Sequence, residues 1–395
     1  VADLTLTERV LARADELSGE LVEIRRDLHA NPELSWNEQR TSRRVLDRLT
    51  AAGLSPVPIG DTGVLVDIGS NEGPVVALRA DLDALPVPDL TEDPWRSTVE
   101  GVAHACGHDV HTTGLLGAGI ALASVADELP GRVRLVFQPA EEIMPGGALA
   151  AIQAGALDGV TSIFGLHCDP GVDVGSLGLR EGPITGAADS LDVRLTGNGG
   201  HTSRPHLTED LTFALGKLIT ELPAVLSRRL DPRAGVSVVW GLVRAGSAMN
   251  VIPAIGRAAG TVRMLDAVAW ADAETLVTEI IQQLVEPYGV KPEVIYVRGV
   301  PPVINEHAST VLLGQAIETV VGADGLLPTT QSLGGEDFAW YLEQVPGAMA
   351  RLGTRTPGGP TYDLHQGNLR VDDRAVAIAA KVLAVAALGA LTRDL

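Results

Sequence analysis

The sequence predicts an α/β protein: a mostly parallel sheet flanked by helices, interrupted by an inserted ferredoxin-like domain. Three observations lead there. Short apolar runs at 75–78, 133–137 and 162–166 alternate with helical stretches at 109–128 and 146–155, the pattern of a sheet covered by helices. Between 186 and 300 the order changes to strand (190–195), helix (209–230), strand (236–243), strand (257–265), helix (273–287), strand (293–298), a split β-α-β-β-α-β unit able to fold by itself. Sheet-type patterning resumes after Pro301-Pro302, so the chain divides at 1–185, 186–300 and 301–395, with the middle segment inserted between two halves of the larger domain.

The flanking elements follow from spacing. Residues 7–28 place Val10, Leu11, Leu17, Leu21, Ile24 and Leu28 at near-helical intervals among acids and arginines, which predicts a surface helix. A second helix is expected over 38–52, ending at Gly53, a residue suited to the left-handed turn after a helix. The longest apolar stretch, 375–391, is rich in Ala and split by Lys381, which predicts a buried helix rather than a membrane span.

Composition narrows the function. The 395 residues are 45% hydrophobic, enough for a sizeable core. A formal charge of -20 with no basic cluster disfavours nucleic acid and anionic membranes as partners, leaving a small molecule. The N-terminal stretch is acidic and amphipathic, unlike a targeting signal, and two distant cysteines fit a reducing cytoplasm. No GxSxG elbow, HExxH helix, P-loop or strand-linked GxGxxG is present.

The chemistry concentrates at 104–111, HACGHDVH, which gathers His104, Cys106, His108, Asp109 and His111 in a chain with nine histidines and two cysteines. Thiolate, imidazole and carboxylate are the donors of borderline and transition metals. On a regular helix Cys106 and His108 would diverge; on a turn entering a helix, Gly107 lets both reach one ion. The apolar strands end in further donors: Asp81 and Asp83, then Glu141 and Glu142, then His167. Ligands of open α/β sheets bind at that carboxyl edge, so remote segments would converge there. On extended chain, Glu141 and Glu142 would point apart, one gripping metal and the other facing substrate as the acid/base of amide hydrolysis. Spacing does not say which does which.

These motifs, with LRADLDALP, FQPAEEIMPGGA, GLHCDP, GNGGHTSRPH, MNVIP, GTVRML and GGEDFAWYLEQVPG in order, resemble the aminoacylase, hippurate-hydrolase and indole-acetyl-amino-acid-hydrolase branch of metallopeptidase family twenty. The resemblance covers nearly the whole chain. It implies a zinc-peptidase-like catalytic domain in two parts and an inserted domain serving as lid and dimerisation module. It implies two divalent ions (zinc, manganese, cobalt or nickel) held by Cys106, His108, Glu142, His167 and His365, with Glu141 as general acid/base. His201 would stabilise the tetrahedral oxyanion, and Asn250 and Arg263 would address the substrate carboxylate. Alternatively, Asn250 caps a turn and Arg263 pairs with a lid acid. The implied activity is hydrolysis of N-acyl amino acids by a homodimer; a dipeptidase or carboxypeptidase using the same centre and a non-catalytic metal-binding protein are the competing readings. Asp83 is expected to orient a metal ligand, and His29 and Glu33 to pack and cap. One departure stands out: the family commonly continues its C-terminal histidine as His-Ser-Pro-aromatic, whereas here His365 is followed by Gln366-Gly367-Asn368.

Overall fold

The computed structural model describes residues 5–70 and 72–392; the first four residues of the N-terminal stretch lie outside them. Two compact units emerge: Val1–Ile184, Ile304–Thr330 and Asp337–Leu395 form one, Thr185–Val303 with Gln331–Glu336 the other. The first unit opens with α1 (Leu6–Ala30), started by a capping box in which Thr5 and Glu8 satisfy each other's backbone N–H. Its buried stripe, Val10, Ala14, Leu17, Leu21, Ile24 and Leu28, faces the core. Helix α2 (Gln39–Ala51) is followed by Gly53 at φ 83°, the left-handed turn foreseen. The Glu33 carboxylate accepts the N–H groups of Arg40 and Thr41 at 3.0 and 2.8 Å, so it caps α2. Strands β1 (Val57–Ile59), β2 (Gly63–Gly69) and β3 (Val75–Asp81) lead to α3 (His108–Ala123). Then come β4 (Arg132–Gln138), α4 (Ala148–Gln153), β5 (Val160–Asp173), β6 (Leu177–Leu179) and β7 (Gly182–Pro183).

The second unit contains β8 (Ala187–Thr196), β9 (Gly200–His201), α5 (Leu211–Arg229), β10 (Ser237–Ala245), β11 (Val251–Ile252), β12 (Ile255–Met264), α6 (Ala267–Ala271), α7 (Ala273–Val285) and β13 (Lys291–Val300). Its antiparallel sheet runs β10-β12-β8-β13, the strand order of a split β-α-β-β-α-β motif. Leu211, Leu215, Leu218, Leu222 and Leu226 make the buried stripe of α5. Along β8, Leu191, Val193 and Leu195 are buried while Ser190 and Arg194 are exposed, so one sheet face is covered and the other is wet.

The chain then returns to the first unit with β14 (Ile304–Asn305), α8 (His307–Val321), β15 (Leu326–Pro328), α9 (Ala339–Leu342), β16 (Gly347–Arg355) and α10 (Arg374–Leu391). The large sheet has the order β1-β2-β4-β3-β5-β16-β6-β15. Its centre, β4-β3-β5-β16, is parallel, and β2 is antiparallel to β4. Both edge strands are three residues long and carry a proline, Pro58 or Pro328, which blunts further pairing. Helix α10 is apolar and long enough to cross a membrane by length and composition, yet 72% of it is buried in the fold. It lies against α3, where a Cβ at Gly114 would sit 2.7 Å from that of Ala379; the missing side chain sets the approach. Every residue of α3 from His108 to Leu122 is buried, so its first turn is held from all sides.

Candidate metal centre

The carboxyl edge of the first unit's sheet collects the donors. Gly107 sits at φ 85°, and a Cβ there would lie 2.7 Å from Cys168 Sγ, so only glycine turns the chain between Cys106 and the first residue of α3, His108. His108 Nδ1 is 3.3 Å from Asp83 Oδ1. The same carboxylate accepts the Ser35 hydroxyl at 2.7 Å and the N–H groups of Glu141 and Glu142 at 3.1 and 3.0 Å. Asp83 therefore orients one imidazole and fixes the turn bearing both glutamates. Burial works against its charge, but His108, the Glu142 N–H and Ser35 outweigh that and hold its pKa below the usual value.

Two local expectations change. The segment after β4 is not extended: Ala140 takes φ 54°, and Glu141 Oε2 and Glu142 Oε1 both approach His108 Nε2, at 4.0 and 3.8 Å. The tight turn, anchored on Asp83, overrides the alternation of extended chain. His167 is also not beyond its strand, since β5 continues to Asp173 and pairs with β16 along that stretch, His167 opposite Arg351.

The imidazoles show which nitrogen is free. His167 Nδ1 donates to the Cys168 carbonyl at 2.8 Å, leaving Nε2 facing Cys106 Sγ at 3.5 Å. His365, at φ 62°, has its N–H on the Ala105 carbonyl at 2.7 Å and its Nε2 3.4 Å from Glu142 Oε1. The donor atoms form interlocked triads, each within 4.8 Å: Cys106–His108–His167, Cys106–Glu142–His365 and His108–Glu141–Glu142. All five ligands implied by the resemblance and the neighbouring Glu141 thus meet. A cation fits this set on one observation above others: His108 Nε2 and Glu142 Oε1 are buried without a hydrogen-bond partner, an expensive state unless something positive sits between them. Burial and the Glu142 and Glu141 charges push the Cys106 thiol well up, whereas burial, His111 and Arg351 push His167 well down. Burial also opposes the charged form of His108, but Asp81, Asp83 and Glu142 prevail and raise it to about 10.

Other members of the opening cluster are engaged elsewhere. His111 Nδ1 donates to Asp81 Oδ1 at 2.6 Å while its Nε2 accepts the Cys168 N–H at 2.8 Å, so both nitrogens are used. Asp109 receives Arg25 at 2.7 Å and His29 at 2.9 Å. His104 is buried with neither ring nitrogen hydrogen-bonded among the described residues. Sequence reasoning missed the support beneath Asp81: Arg79 donates to Asp81 at 2.7 Å, Asp337 at 2.6 Å and Gln138 at 2.9 Å. The available signal was an arginine set among the apolar residues 75–80 of the strand.

His201, Asn250 and Arg263 all belong to the second unit. His201 lies on β9 opposite Val251, and the Asn250 carbonyl accepts the Thr202 N–H at 3.3 Å, so Asn250 flanks the small sheet that carries His201. His201 Nδ1 accepts the Ser203 N–H at 3.1 Å, which places the ring proton on Nε2. Arg263, on β12, donates to the Leu333 carbonyl at 2.7 Å rather than to an acid.

An α/β sheet with thiol, imidazole and carboxylate donors converging at its edge is the architecture of a metal-binding protein. Residues 77–388 match peptidase family M20/M25/M40, and the chain belongs to that family. It is 52% identical to a Rhodococcus jostii protein bearing the name of a glutamate–cysteine ligase, across 99% of this chain but 48% of the relative, so it spans about half of that protein. It is 37% identical to the N-acetyl-L-cysteine deacetylase of Bacillus subtilis, covering 91% of this chain and 85% of the relative. The crystal structure of a Bacillus subtilis dinuclear metal binding peptidase from the M20 family superposes with a TM-score of 0.82 at 32% identity, covering 95% of this chain and 99% of that one.

Proposed function

We propose that the chain is a dinuclear-metal amidohydrolase that cleaves N-acyl-L-amino acids to a carboxylic acid and a free amino acid. The carrying observation is the pair of triads sharing Cys106, whose members His108 Nε2 and Glu142 Oε1 are buried without hydrogen-bond partners. Cys106, His108, Glu142, His167 and His365 hold the two divalent ions, which are zinc, manganese, cobalt or nickel by donor chemistry. When bound, such ions polarise an amide carbonyl and acidify water. Glu141, turned toward the same space but outside the five ligands, takes the proton of the attacking water and returns it to the leaving nitrogen. His201, with its proton on Nε2, is a donor for the tetrahedral oxyanion. Asn250 and Arg263 address the substrate carboxylate; the guanidinium keeps further donors beyond the one spent on Leu333.

The Bacillus relative is named an N-acetyl-L-cysteine deacetylase, so N-acetyl-L-cysteine heads the test panel. Release of free amino acid is measured from N-acetyl-L-cysteine, other acetyl-amino acids, hippurate, indole-acetyl conjugates and unblocked dipeptides after reconstitution with each metal. Turnover of acylated substrates in preference to dipeptides supports the proposal. Preference for unblocked dipeptides replaces it with a peptidase, and no turnover with any metal overturns it. A homodimer through the second unit completes the proposal, supported by the edge strand β10, which exposes Val239 and Val243; a monomeric mass in light scattering would refute it.

A further inference from the structure

The three imidazoles of the centre are not held alike. His108 and His167 each have Nδ1 engaged, by Asp83 and by the Cys168 carbonyl, and both rings are buried. The His365 side chain is 55% exposed, with its Nε2 3.4 Å from Glu142 Oε1. Its placement leans on its backbone, which carries a positive φ that is uncommon for a residue with a Cβ.

Two tethers hold that backbone. On one side the His365 N–H donates to the Ala105 carbonyl at 2.7 Å, next to Cys106. On the other, the Leu90 N–H donates to the Gly367 carbonyl at 2.8 Å. The second tether requires glycine: a Cβ at position 367 would lie 2.0 Å from the Pro88 carbonyl oxygen and 3.2 Å from Leu90 Cγ. Backbone cannot yield as a side-chain tip can, so the 365–368 loop would have to lift away. Gln366 and Asn368 are exposed, so the loop has solvent to lift into and the strain need not unfold the core.

We propose that Gly367 is the positioning residue for His365, clamping the loop against Pro88–Leu90 so that this imidazole completes the Cys106–Glu142–His365 triad. This rests on the two-metal reading above. The role falls in the stretch where the chain leaves the Ser-Pro-aromatic pattern, and the close approach gives that departure a physical use.

The test counts cobalt or zinc bound per chain by equilibrium dialysis against buffered free metal, for the wild type, Gly367→Ala and Leu90→Pro. The last removes the donor of the same tether at an exposed side chain. Circular dichroism and the melting temperature report folding. The wild type should bind two ions. Each variant should bind one with unchanged affinity and the other about 10–100-fold more weakly, the usual consequence of disturbing a ligand's support. Raising free metal should restore occupancy and turnover together, because every ligand is still present. A folded variant that binds both ions like the wild type overturns the role of Gly367 and leaves the two-metal reading standing. Failure of both variants to fold also overturns it, since the loop would then support the fold rather than one imidazole. A wild type that binds fewer than two ions contradicts the two-metal reading itself.

Discussion

Glu38 offers a quantitative test of how the glutamate-bearing turn is built. Its side chain is completely buried, and Oε1 accepts the N–H of Ala140, the positive-φ residue before Glu141, at 2.8 Å. Burial, reinforced by the Asp83 charge and only partly offset by backbone N–H groups and Thr62, raises its pKa from 4.5 to about 7. The sign follows from linkage. Below pH 4.5 Glu38 is protonated in both states and costs nothing; between 4.5 and 7 the unfolded chain ionises while the folded one keeps its proton, so stability falls as pH rises. The full shift corresponds to about 3 kcal/mol, of which about 2–3 kcal/mol is lost between roughly pH 5 and 8. Glu38→Gln retains an acceptor for Ala140 and has no charge to bury. Urea unfolding in chelator, which removes metal affinity from the comparison, should show the variant gaining on the wild type by that amount across the interval. A stability gap that does not change with pH would mean that burial does not raise the Glu38 pKa.

Three substitutions separate the roles around the centre. Glu141→Gln should lower kcat by about 10²–10⁴ while both ions remain bound, read by steady-state kinetics beside metal analysis; loss of metal instead would make Glu141 a ligand. Asp83→Ala removes the acceptor shared by His108 and the two glutamate N–H groups. It should weaken metal binding by about 10–100-fold, measured by competition with a chromogenic chelator, and unchanged affinity would deny Asp83 its orienting role. His201→Ala should keep both ions and lose about 10²–10³ in turnover; full turnover would refute the oxyanion assignment.

Much of the fold was legible because its signals are local. The stripe of α1, the Gly53 stop and the alternation through β3, α3 and β4 are periodicities that no distant residue alters. The strand order of the second unit follows from the order of its elements. Strands β1 and β2 give a weak sequence signal because Pro58, Gly60 and Gly63 break the apolar pattern, and the edge position of β1 needs only three residues. The apolar pattern of β5 ends at 166 because the polar residues His167 and Asp169 look like a strand end, although their backbone stays in the sheet. At the site, Cys106, His108 and the Glu141–Glu142 pair stood out by residue type. What sequence could not separate was which neighbours point inward: His111 and Asp109 share the cluster with His108, yet one is bound to Asp81 and Cys168 and the other to Arg25 and His29. Partners 30 to 84 residues away decide that.

In the proposed centre Cys106, its neighbour His108 and three remote side chains, Glu142, His167 and His365, jointly hold two cations. Cobalt titration of the metal-stripped protein, followed by thiolate-to-cobalt charge-transfer absorption and total metal analysis, addresses it directly. Two ions per chain are expected, with an absorption band that disappears in Cys106→Ser. Saturation at one ion or none, or a band that survives the loss of that thiol, would contradict that centre.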